Sequence, residues 1–146
     1  MGVNKYLSEK DKLQITNAIR VAETNTSGEI RVHIETKCVG GNALDRAAFL
    51  FEQLKMHKTA LRNGVLFYLA LEDHQFAILG DAGINSKVPD NFWEATKDTV
   101  IAKLKEGKIA EGLAHGIVMA GEALKAHFPY QSDDVNELSD EISFGK

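Results

Sequence analysis

Asp81 stands in the run Gly80-Asp81-Ala82-Gly83, directly after the apolar stretch Phe76–Leu79. Glycines let the backbone turn through φ > 0 and approach a ligand closely, and an aspartate held between them can accept from backbone amides or bind a cation. A solvated aspartate in a glycine turn is the plainer reading of the same four residues, and so short a motif decides nothing alone. Two further carboxylates, Glu29 and Asp90, and the polar residues Arg62, Asn63 and Asn85 gain meaning only if the fold brings them to the same place. Carboxylates, side-chain amides and backbone carbonyls are hard oxygen donors. They suit Ca2+ or Mg2+ and not a metal that prefers thiolate.

Other chemistries lack their residues. The sequence has no Cys-x5-Arg loop, no Asp-x-Asp pair after a strand and no Gly-Lys-Ser/Thr phosphate loop. His33, His57, His115 and His127 show no two-histidine metal spacing, so zinc is not expected. Cys38 is the single cysteine; it has no nucleophile signature and cannot form an internal disulfide. A formal charge of -4 over 146 residues argues against a general nucleic-acid binder, which needs a basic face. No signal-peptide core and no membrane span is found, the longest apolar run being Val65–Leu71; the cytoplasm is the expected location. With 44% hydrophobic and 26% charged residues, the chain has the balance of one ordinary domain able to bury its own core.

The elements that must position these residues follow from periodicity. Ser8 and Asp11 form a capping-box pair ahead of Ile15, Ala18, Ile19 and Ala22, so a helix is expected from Glu9 to about Glu23. Glu29–Thr36 alternates strictly, with Ile30, Val32 and Ile34 on one face and Glu29, Arg31, His33 and Glu35 on the other, as a strand does. Asn42 caps a second helix carrying Leu44, Ala47, Ala48, Phe51 and Leu54 and ending near His57. Val65–Leu71 and Phe76–Leu79 form a hairpin about the polar turn Glu72–His74. A third helix begins at Pro89–Asp90, with Asp90 as its cap, and runs to about Glu106; a fourth covers Ile109 to about His127. Residues 130–146 are acidic, with Asp133, Asp134, Glu137, Asp140 and Glu141 against Lys146, and read as a mobile tail that the fold does not need, although the interspersed Val135, Leu138, Ile142 and Phe144 leave room for it to dock on this domain or on a partner.

Strand, helix, strand implies a parallel pair joined by a right-handed crossover, with the hairpin strand added antiparallel. Because Val65–Leu71 is apolar throughout, helices must cover both faces. The expectation is a three-layer α/β/α Rossmann-like sandwich with a small mixed sheet and four main helices, residues 1–129 forming the domain. In that topology Glu29 and Asn63 open the two parallel strands, and the antiparallel strand delivers Asp81 and Gly83 to the same edge. Glu29, Arg62, Asn63, Asp81, Asn85 and Asp90 thus converge, with Asp81, Glu29 and Asp90 as candidate metal ligands. The opposite edge, with Cys38 and Glu72–His74, ranks second despite the habit of α/β sheets of binding ligands at strand carboxyl ends.

The words Thr26-Ser-Gly-Glu-Ile30, Asn63-Gly-Val-Leu66 and Gly80-Asp-Ala-Gly-Ile84, with the Gly112–Gly121 helix, occur in an order and spacing that resemble the TPM domain family. That family includes a thylakoid-lumen protein of photosystem II repair. The resemblance spans roughly residues 8 to 129 and implies a Rossmann-like sandwich, an association with divalent cations such as calcium and, in the plant member, acid phosphatase activity. Arg62 stands where many members have an acid before Asn-Gly. Two functions are therefore expected: a small cation-binding module acting through a protein partner or, alternatively, a weak divalent-metal-dependent phosphatase with Arg62 meeting the phosphoryl oxygens.

Overall fold

A computed structural model describes residues 3–130 and 142–145. Helix α1 (Glu9–Glu23) starts as its sequence dictates: the Ser8 hydroxyl accepts from Asp11 N at 3.0 Å and the Asp11 carboxylate accepts from Ser8 N at 3.0 Å. Two otherwise orphaned amides are satisfied in that exchange. Strand β1 (Glu29–Glu35) leads through α2 (Ala43–Gln53), capped by Asn42, and a 3-10 turn at Met56–Lys58 into β2 (Gly64–Ala70). Strand β3 (Gln75–Gly80) returns antiparallel and runs into the short helix α3 (Ala82–Asn85). Helices α4 (Phe92–Lys105) and α5 (Ile109–His127) follow.

The sheet order is β3-β2-β1-β4, the last being Ser143–Phe144. Strands β1 and β2 are parallel, in register from Glu29 opposite Gly64 to Glu35 opposite Ala70, as a strand-helix-strand unit requires. The side chains divide by pleat. Ile30, Val32 and Ile34 of β1 and Val65, Phe67 and Leu69 of β2 face a layer built from α1, α4 and α5. Leu66, Tyr68 and Ala70 face α2, where Ala47, Leu50, Phe51 and Met56 complete a second, smaller core. Every residue of β2 is buried, so helices cover both of its faces. Small residues let α5 lie close: a Cβ on Gly121 would sit 2.7 Å from that of Ala22 on α1, and one on Gly116 2.9 Å from the Phe67 ring.

Four main helices and a mixed sheet thus form an α/β fold, with α3 as an addition. Two expectations are corrected. Asp90 does not cap α4: the cap position falls one residue later, at Asn91, with no side-chain hydrogen bond. The sheet also has a fourth strand, because β4 pairs parallel to His33 and Ile34 of β1. The segment expected to be a dispensable tail therefore ends inside the fold, with Ile142 buried in the main core. Its acidic residues Asp133, Asp134, Glu137, Asp140 and Glu141 lie outside the described residues.

Candidate functional site

The start of β2 is where the chain brings most of the sequence-derived candidates together. Glu29 lies opposite Gly64 in register and its amide donates to the Asn63 carbonyl at 3.4 Å. From the other side Asp81 donates its amide to the Gly64 carbonyl at 2.9 Å, and Gly83 to that of Arg62 at 2.7 Å. Asn85 reaches back, its Nδ2 donating to the Gly80 carbonyl at 2.7 Å while its Oδ1 accepts from Trp93 Nε1 at 2.7 Å. Glu29, Asn63 and Asp81 are 2%, 1% and 6% exposed, so this edge is built into the fold and is not a surface cluster. Asp90 is exposed, on the turn that precedes α4.

The Asp81 carboxylate is already answered. Arg62 Nε donates to Oδ2 at 2.7 Å and Nη2 to Oδ1 at 2.8 Å, a bidentate pair, and Oδ1 also accepts from Ala82 N at 2.7 Å to cap α3. The fork matches two guanidinium donors to two carboxylate oxygens. Arg62 does this from a left-handed backbone, φ 52°, with half of its side chain in solvent. In the segment between α2 and β2, Thr59 Oγ1, Asn63 Nδ2 and His57 Nδ1 are buried with no hydrogen-bond partner among the described residues. A buried polar atom without a partner costs free energy, and three of the five such atoms fall in this short segment.

These donors fit an oxygen-coordinated cation in type. Thr59 supplies a hydroxyl, Asn63 an amide whose oxygen and nitrogen exchange by rotation, Asp81 and Glu29 carboxylates. The fit is conditional on Arg62, which holds both oxygens of Asp81. Among the described residues no three His, Cys, Asp or Glu side chains are grouped to hold a metal.

A second buried polar group escaped the sequence reading. Glu35, 1% exposed, accepts from Arg46 Nε at 2.9 Å and Nη2 at 3.0 Å, from the Tyr68 hydroxyl, and from His33 Nε2 at 3.3 Å. The other nitrogen of His33 meets the Ser143 hydroxyl of β4 at 2.8 Å. Burial lowers the His33 pKa against the pull of Glu35, which favours a neutral ring with Nε2–H donating to Glu35 and Nδ1 accepting from Ser143. Burial alone would raise Glu35, but the hydrogen bonds from Arg46, Tyr68 and His33 outweigh it and hold the carboxyl below its ordinary value. Tyr68 is pushed up, first by burial and then by Glu35. The only sequence signal was a polar alternation along β1 that α2 and β4 then cover.

A family model described as the TPM domain matches residues 3–123. The chain belongs to the TPM domain family. The expected resemblance is therefore established, and solved structures agree with it. The BA42 protein from the psychrophilic bacterium Bizionia argentinensis is 46% identical, with a TM-score of 0.88 over 96% of each chain. The N-terminal domain of the cg2496 protein from Corynebacterium glutamicum, 17% identical, shares the fold with a TM-score of 0.65 over 82% of this chain and 75% of that one. The N-terminal domain of a protein from P. gingivalis, 21% identical, does so with a TM-score of 0.65 over 86% and 83%. No curated protein matches the chain. Among the described residues of this TPM domain, no helix is long and apolar enough to cross a membrane.

Proposed function

We propose that this TPM domain binds a divalent cation at the edge where β2 begins, and acts through a protein partner that senses the occupied loop. Asp81 is the anchoring ligand, Glu29 and Asn63 complete the oxygen set, and Arg62 is the occupant that the cation displaces. The observation that carries this reading is the pair of unpartnered buried atoms, Thr59 Oγ1 and Asn63 Nδ2, in the same loop as the half-exposed arginine that neutralises the Asp81 carboxylate. A buried carboxylate needs a counter-charge, and a strained, solvent-facing arginine can yield that role to an ion. Ca2+ suits the site better than Mg2+, because a loop-built oxygen set of irregular geometry meets flexible coordination more easily than a strict octahedron. Asp90 joins as a ligand only if the turn before α4 closes toward Asp81.

The test is a Ca2+ and Mg2+ titration followed by amide NMR on the wild type, Arg62→Gln and Asp81→Asn. Calcium shifts are expected at residues 59–64 and 80–85. Arg62→Gln should tighten binding about tenfold, the scale of one charge-assisted pair no longer competing. Asp81→Asn should abolish it. Unchanged affinity in Arg62→Gln, or shifts confined to Cys38 and Glu72–His74, would overturn the assignment. Turnover of a phosphomonoester that is lost in Asp81→Asn would replace it by the metal-dependent phosphatase reading.

A further inference from the structure

At the other end of the sheet, the β2–β3 turn meets the end of α4 and the start of α5 around a cavity of about 520 Å³. Leu69, Leu71 and Phe76 form its floor; all three belong to the main core and stay at most 6% exposed while lining it. Leu104 and Ile109 wall the sides. The recess is thus rigid and apolar, and its volume falls in the range of about 300–1,000 Å³ that small-molecule sites occupy.

Of the lining residues, Lys105 alone carries a formal charge. Lys105 and His74 both line the cavity, and Lys105 is exposed with no ion pair among the described residues. The acidic residues nearest in sequence are already engaged. Glu72 accepts at 3.4 Å from the hydroxyl of Tyr6, itself a lining residue, and faces Lys37 at 3.9 Å; Asp73 accepts from Cys38 N at 2.7 Å, and Glu106 pairs with Lys108 at 3.3 Å. His74 is fixed at φ 52°, a left-handed conformation that a non-glycine residue seldom takes. Strained backbone of this kind concentrates at ligand sites.

We infer that this cavity binds a small organic carboxylate, its apolar body against Leu69, Leu71 and Phe76 and its carboxylate on Lys105 at the mouth. A neutral apolar ligand would leave Lys105 unanswered. A metal ion would find no unengaged carboxylate there. This site stands at the opposite end of β2 from Asp81 and is independent of any cation.

Octanoate and octanol are the probes, followed by calorimetry and amide NMR on the full chain. Octanoate should saturate, with shifts at residues 69–76 and 104–109, and octanol should bind about tenfold more weakly, as the loss of one charge-assisted contact dictates. Lys105→Met should weaken octanoate about tenfold and leave octanol unchanged. Ile109→Trp fills the recess from its rim and should abolish both at an unchanged fold, read by circular dichroism. Equal affinity for acid and alcohol, octanoate binding undiminished in Lys105→Met, or no saturation would overturn the proposal. So would dilution-dependent shifts at these residues without octanoate, which would make a second copy the occupant. Binding to phosphatidylglycerol vesicles without binding of free octanoate would likewise overturn it in favour of a lipid surface.

Discussion

Removing Arg46 exposes the logic of the buried Glu35 group most directly. Arg46→Leu keeps an apolar stem but deletes both donors on Glu35, leaving a carboxylate that is 1% exposed with Tyr68 and His33 as its remaining donors. Breaking a buried pair from one side costs roughly 3–5 kcal/mol. Arg46 lies at the rim, its side chain 17% exposed, so water reaches part of the vacated space and the lower end applies, about 3 kcal/mol. For a domain of this size that lowers the melting temperature by about 10 °C. Adding Glu35→Gln to the same chain should restore at least about half of the loss, since the stranded charge is then gone.

The pH response has a sign to match. His33 has a folded pKa below its ordinary 6.5, so its contribution is complete above that value and is lost as pH falls through the folded pKa. Glu35 likewise sits below its ordinary 4.5 and contributes stability that disappears only at lower pH. The wild type should therefore weaken on acidification below about pH 6.5. In Arg46→Leu the stranded carboxylate favours a proton on His33 or on itself, so its deficit relative to wild type should shrink toward pH 5. Urea unfolding of the wild type, the two single variants and the double variant at pH 7 and pH 5 measures all of this. A loss below about 1 kcal/mol, the worth of a surface pair, would refute the reasoning. A loss equally large when Arg46→Leu is made on top of Glu35→Gln, or one that grows in acid, would do the same.

Two other outcomes follow from packing. Deleting residues 131–146 should cost about 2 kcal/mol in thermal unfolding, because Ile142 leaves the core and His33 loses Ser143; an unchanged melting point would mean β4 adds nothing. Gly83→Ala would place a Cβ 2.5 Å from the Arg62 carbonyl oxygen, so a loss of about 1–3 kcal/mol is expected, with looser Arg62 amide protection in hydrogen exchange.

Local signals were legible where one residue or one period decides the outcome. Ser8 and Asp11 cap α1 as their spacing requires, and Val65–Leu71 could be a buried strand and little else. Convergence at the start of β2 was legible too, because parallel and antiparallel strands fix which ends meet. Partner choice was not. Nothing local distinguishes an Asp81 awaiting a cation from one gripped by Arg62, since the grip depends on a left-handed turn at residue 62. Asp90 failed as a cap because Asp and Asn both suit that position and the helix starts one residue later. The Glu35 group and β4 were hidden because the partners lie on three other elements: Arg46 is 11 residues from Glu35, Tyr68 33 residues, and Ser143 110 residues from His33.

That distance bears on how the protein is made. Ser143 joins His33 across 110 residues, so the outer edge of β1 has no neighbour from β4 until nearly the whole domain has left the ribosome. Until then a strand with open backbone donors and acceptors is available to any other extended segment, including the same strand in a neighbouring nascent chain. Proteolytic clipping before residue 142 would return the mature protein to that condition with most of its hydrophobic core still in place. Two residues of β-structure thus cover the β1 edge at His33 and Ile34, and their loss would register first as aggregation.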